Sequence, residues 1–145
     1  WICSLDVFEA MRLDGHFQHR SEWKDFYYKF FSKLSPAYMN LEGFTSKSAV
    51  EIILEAGGVP VVAHPKLIGD DTQIDHLIHY GIRGIEAYYP AHNVGEVLKY
   101  NDYARRNRLL VTGGTDWHGD FTEWNVSLGD YGIDEELLHL LEKGE

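Results

Sequence analysis

The chain has 145 residues, 44% apolar and 14% aromatic, which suits one domain with a sizeable core. Its formal net charge of −10 disfavours unaided binding to a phosphate backbone, since no basic run exceeds Arg105-Arg106 with nearby Arg108. A single cysteine, Cys3, excludes an internal disulfide and a multi-cysteine zinc site; no apolar run approaches the ~18 residues that span a bilayer, and the N-terminus lacks a basic region leading into a long apolar one, so a soluble cytoplasmic protein is the default expectation.

In chain order, Val7 to Met11, Gly15-His16-Phe17, Trp23 to Phe31 and Pro36-Ala37-Tyr38 make up an aromatic-rich N-terminal third. Phe26, Tyr27, Tyr28, Phe30 and Phe31 predict the core of a helical segment, while His16 and His19 follow no strand. Ala49, Val50, Ile53, Leu54 and Ala56 then predict a helix capped by Thr45 or Ser46 and ended by Gly57-Gly58. The β-branched run Val59 to Ala63 predicts a first strand.

Ile74, Leu77 and Ile78 predict a helix that stops at Gly81, with His76 and His79 off its apolar face and solvated. A second strand spans Ile82 to Tyr88. Asn93 is the expected N-cap of a helix running to about Arg106 along Val94, Val97, Leu98 and Ala104. Leu109 to Thr112 is a third strand, and a closing helix is expected from about Asp134 to Leu141. Strands that begin about 25 residues apart with helices between them predict a parallel sheet, whose C-terminal edge is where α/β proteins place sites.

Polar residues gather at that edge. The first strand runs into His64-Pro65-Lys66, the second carries Glu86 with His92 just beyond it, and the third leads through Gly113-Gly114-Thr115 to Asp116-Trp117-His118. A carboxylate and an imidazole two residues apart after a buried strand suit a divalent metal. Each residue also has a structural alternative: a core histidine for His64, an Asx turn for Asp116 and the same solvated loop for His118. Glu86 faces the helices or pairs with Arg83, His92 enters the helix beside Asn93 or touches substrate, and Lys66 is solvated. The chain contains no Gly-x-Ser-x-Gly elbow and no phosphate-binding Gly-rich loop with Lys-Ser/Thr.

Three ordered stretches, Gly57 to Pro65, Gly81 to His92 and Gly113 to Gly119, resemble the late motifs of the polymerase-and-histidinol-phosphatase (PHP) domain family, in its free-standing metal-dependent phosphoesterase branch. The resemblance covers about Asp6 to Glu145 and is faint before Ala37. It implies an α/β fold: the C-terminal portion of a distorted (β/α)7 TIM-like barrel, with residues 1–44 a helical insertion or lid and 45–145 the C-terminal βα units.

It further implies that His64, Asp116 and His118 are ligands of divalent metal ions (Mn, Zn, Fe or Mg). The family's opening His-x-His motif and several later ligands are absent, so the metal site is incomplete in this chain. The missing N-terminal barrel strands, or another chain, would complete it. The activity implied is hydrolysis of phosphate esters, of nucleotides or nucleic-acid 5′ ends, by metal-activated water, with the isolated chain inactive. The alternative is a catalytically inactive or non-enzymatic module with a residual metal site.

Overall fold

The computed structural model describes residues 2–35, 37–39, 42–119 and 125–143, so Pro36 lies outside the described residues. By its contacts the chain divides into two compact units, Trp1–Glu42 with His118–Glu123, and Gly43–Trp117 with Trp124–Glu145.

The second unit is α/β. Strands β1 (Val61–Val62), β2 (Gly84–Tyr88) and β3 (Leu110–Gly113) form a parallel sheet in the order β1-β2-β3. The register places Val62 beside Ile85 and Ile85 beside Val111. That row packs with Val50, Ile74, Ala87, Tyr100 and Ala104 from α3 (Ser46–Glu55), α4 (Asp71–Tyr80), β2 and α5 (Val94–Asn107). Burying each of the larger aliphatic side chains contributes roughly 1.5–3 kcal/mol. This core therefore fixes both which face of each strand meets the helices and the height of the strand ends.

The helices start and stop where the sequence places the signals. Thr45 accepts from the Ser48 amide and Asn93 from the Glu96 amide, each satisfying a donor that has no partner inside the helix. Gly81, at φ 106°, ends α4, and the amides of Gly81 and Ile82 bond back to Ile78 and Leu77. The closing helix, α6, spans Glu135–Lys143, with Asp134 accepting from the Leu137 amide.

The strands are shorter than the apolar runs that predict them. Ile82 is committed to the end of α4, so β2 begins at Gly84. Pro60 has no N–H for a ladder, although its carbonyl accepts from Arg83 and Gly84, and β1 is confined to Val61–Val62. At the far end the pairing steps from Glu86–Thr112 to Tyr88–Gly113, which leaves Ala87 unopposed as a bulge. Gly113 is required there, because a Cβ would lie 2.6 Å from Tyr88 Cβ and 2.8 Å from the Tyr88 carbonyl oxygen.

The first unit is helical, with α1 (Ser4–Leu13), a 3₁₀ turn (Arg20–Glu22) and α2 (Trp23–Phe30). Phe8 lies fully buried against Phe17, Trp23 and Phe26 at ring-centroid distances of 4.9, 5.9 and 5.3 Å. Glu9 binds Arg12 and Arg20, and the Arg12 guanidinium, with help from Arg20, holds its carboxyl down at about 2. Tyr27 and Tyr28, expected in this core, are 39% and 60% exposed. Helical steps of 100° put Trp23, Phe26 and Phe30 on one side, leave Tyr27 on its flank with its ring 5.5 Å from that of Trp23, and turn Tyr28 away. Among the described residues no helix is long and apolar enough to cross a membrane.

Candidate functional site

His64 lies two residues beyond the first strand in the left-handed conformation (φ 33°, ψ 60°), directly before Pro65 at the start of a 3₁₀ turn (Pro65–Ile68). A residue with a Cβ is disfavoured there, and a following proline disfavours helical backbone further, so other contacts must hold it. The His64 amide donates to Glu86 Oε2 at 2.6 Å, and its carbonyl accepts from the Leu67 amide at 2.9 Å. Glu86 thus neither faces the helices nor binds Arg83, the two expectations for it. It is a half-buried residue of β2 whose carboxylate grips the main chain at the end of β1.

Asp116 is exposed and also has positive φ, 49°. Its Oδ2 accepts from Tyr89 Oη at 3.2 Å, and the ring of Tyr89, itself only 3% exposed, lies 5.5 Å from the His64 ring. Tyr89 is therefore a common neighbour of both residues. The non-glycine residues with positive φ among those described are Leu34, His64, Arg108 and Asp116. Arg108 serves to end α5, whereas His64 and Asp116 follow the C-terminal ends of two strands in one sheet.

His92 is buried, at 7% exposure. Its Nδ1 donates to the Ala87 carbonyl at 2.9 Å, its ring packs between Tyr89 and Tyr100, and its Nε2 has no hydrogen-bond partner among the described residues. A buried acceptor without a donor is uncommon and costs about 1–3 kcal/mol. Lys66, expected to be solvated, binds Glu96 at 2.8 Å and the Ala91 carbonyl at 2.9 Å. Lys66, together with the Asn93 amide, holds the Glu96 carboxyl below its usual range. His118 is exposed and groups with the helical unit. His76 and His79 are exposed, as their positions off the apolar face of α4 predict.

Imidazole and carboxylate are the donor types that a borderline divalent cation takes, so His64 and Asp116 fit a metal in kind. They do not complete a site: among the described residues no three His, Cys, Asp or Glu side chains are grouped closely enough to hold an ion. Sequence reasoning missed Tyr89 and the role of Glu86. A Tyr-Tyr-Pro run at the end of a strand was the available signal, but the partner of Tyr89 lies 27 residues away in sequence and that of Glu86 22 residues away.

Two curated proteins share sequence with the chain. Phosphoribosyl 1,2-cyclic phosphate 1,2-diphosphodiesterase of Eggerthella lenta is 36% identical over 76 residues, 52% of this chain and 29% of that protein. The 3′,5′-nucleoside bisphosphate phosphatase of Chromobacterium violaceum is 30% identical over 95 residues, 62% of this chain and 33% of that protein. A crystal structure from Bifidobacterium adolescentis, of a protein named as a metal-dependent phosphoesterase, superposes with a TM-score of 0.78 at 26% identity, over 99% of this chain and 50% of that one. Over part of their length the chain resembles phosphoesterases, matches that support a PHP-type family.

The chain spans about a third of the length of the curated proteins it matches and half of the Bifidobacterium structure. An amidohydrolase of Chromobacterium violaceum, 22% identical with a TM-score of 0.58 over 90% of this chain and 47% of that one, shares the fold. No family model matches the chain.

Proposed function

We propose that the chain forms the C-terminal part of a distorted (β/α)7 PHP-type barrel and contributes ligands to a divalent-metal phosphoesterase centre. The substrates in this reading are phosphate esters of nucleotides or of nucleic-acid 5′ ends. Both curated relatives are named for substrates with phosphate on a sugar, which supports the class. The observation that carries the reading is the sharing of Tyr89 by His64 and Asp116 beyond the ends of two parallel strands.

In this reading His64 offers an imidazole nitrogen, Asp116 carboxylate oxygens and His118 a second imidazole, with the remaining ligands supplied from outside this sequence. A bound divalent cation, Mn, Zn, Fe or Mg, supplies Lewis acidity that stabilises phosphoryl charge and makes water a nucleophile near neutral pH. Tyr89 fixes the carboxylate of Asp116, and Glu86 fixes the main chain of His64. His92 stays in the proposal as a substrate contact, supported by the acceptor on Nε2 that no described donor meets. Residues 1–44 are the helical insertion in this reading.

A second reading, an inactive module with a weak metal site, is favoured by the lack of a three-ligand group among the described residues. Hydrolysis of a nucleoside monophosphate and of a 5′-phosphorylated oligonucleotide with Mn²⁺ separates the two. It would be measured for this chain, for the chain extended by the coding sequence upstream of Trp1, and for the Asp116→Asn variant of the extended protein. The first reading expects turnover only in the extended protein and loss of most of it in Asp116→Asn, because a neutral amide replaces an anionic ligand poorly. An extended protein without turnover would leave the second reading standing.

A further inference from the structure

We infer that Glu86 and Tyr89, from the middle strand and its exit, are positioning residues for the two candidate ligands that lie just beyond the ends of the flanking strands. Glu86 sets the main chain of His64, and Tyr89 sets the carboxylate of Asp116. The inference rests on the reading of His64 and Asp116 as metal ligands.

β2 lies between β1 and β3, so its C-terminal end is the one place from which a single segment reaches the ends of both neighbours. Residues 86 and 89 are an odd number apart and would project from opposite faces of a regular strand. The alternation holds past the unopposed Ala87, with Ile85, Ala87 and Tyr89 buried and Glu86 and Tyr88 half-buried. The two side chains therefore reach different parts of His64, Glu86 its amide through a 2.6 Å bond and Tyr89 its ring at a centroid distance of 5.5 Å.

Each contact also suits its task chemically. An amide donating to a carboxylate is a charge-assisted bond, and it is applied where the backbone of His64 most needs holding. With Oε2 so committed, Oε1 lies 3.8 Å from where a Cβ would project on Gly114, which places the carboxylate against the turn leading to Asp116 as well. Tyr89 is buried, so its hydroxyl has little freedom and presents one donor in a fixed place to an exposed aspartate. Partners of this kind orient ligands, and their loss typically lowers metal affinity by about 10–100-fold.

The test uses ¹⁵N-labelled chain with Mn²⁺ as probe, and the variants Glu86→Ala, Glu86→Gln, Tyr89→Phe and His64→Ala. In metal-free protein the His64 amide proton should resonate downfield and exchange slowly. Glu86→Ala should move it upfield and remove the protection, while Glu86→Gln, which keeps an acceptor oxygen, should largely restore both. In Mn²⁺ titrations, the midpoint for broadening of resonances around residues 64 and 116 should rise tenfold or more in Glu86→Ala and Tyr89→Phe, and by less than about threefold in Glu86→Gln.

Unchanged midpoints in both Glu86→Ala and Tyr89→Phe would overturn the inference. So would a Glu86→Gln variant as impaired as Glu86→Ala, since the carboxylate would then act by its charge rather than by holding His64. Broadening in wild type that matches His64→Ala would instead overturn the metal reading, and the behaviour of the His64 amide would then decide the positioning role by itself.

Discussion

In the helical unit, Phe8 and Phe26 are closed in by Phe17, Trp23, Phe30 and Phe31 at tilted and edge-on angles, and the backbone has no ladder tying α1 to α2. In the sheet unit, Val62, Ile85 and Val111 are aligned by interstrand pairing as well as by side-chain packing. Ring clusters tolerate several arrangements of similar energy, whereas a ladder fixes neighbouring strands residue by residue. A site that must place two donors belongs on the second kind of support, and His64 and Asp116 follow its strand ends.

The contrast can be broken most strongly at the buried anchors. Phe8→Ala should cost about 3–5 kcal/mol and strip hydrogen-exchange protection from α1 and α2 while β2 and α5 keep theirs; Ile85→Ala, at about 2–5 kcal/mol, should do the reverse. Equal loss of protection everywhere after either change would show one cooperative body instead of two. Next in size, Gly113→Ala should destabilise the sheet unit by about 1–3 kcal/mol in urea unfolding, because the added methyl meets the backbone of Tyr88. An unperturbed midpoint would mean that the bulge yields more easily than its geometry implies.

Asn93→Ala removes the acceptor for the Glu96 amide and should cost about 1 kcal/mol, read as a lower melting temperature with an unchanged fold. The smallest effect belongs to the helical unit. The carboxyl of Glu9 is lowered to about 2 from 4.5, so its bonds to Arg12 and Arg20 contribute fully above about pH 4.5, and that contribution fades as pH falls toward 2. A Glu9→Gln variant should therefore show a flatter decline of α1 protection across that interval than wild type, and parallel curves would remove the pair from the account.

Much of the sheet unit was legible because its signals are local. Caps at Thr45 and Asn93 and the stop at Gly81 each act within a turn of the residue that carries them. The strand ends were not, since they depend on competition: the Ile82 amide goes to the carbonyl of Leu77 rather than to a neighbouring strand. His64 and Asp116 could be singled out as donors after strands, but the contacts of Glu86 and Tyr89 exist only once three strands are in register around a bulge. In the helical unit the pattern identified an aromatic segment but not its buried side: Tyr27 lies at its edge against Trp23, and Tyr28 is 60% exposed.

If His64 and Asp116 are the metal ligands proposed above, their left-handed backbone sets selection for folding against selection for chemistry at the same two codons. Glycine at position 64 would relieve the conformational cost, and glycine or asparagine at 116 would do likewise, so a library of variants sorted only for folded protein should drift toward those residues. Sorted for cation binding, the same library should return to histidine and aspartate. The gap between the two frequency profiles, position by position, would map the site without any substrate in hand.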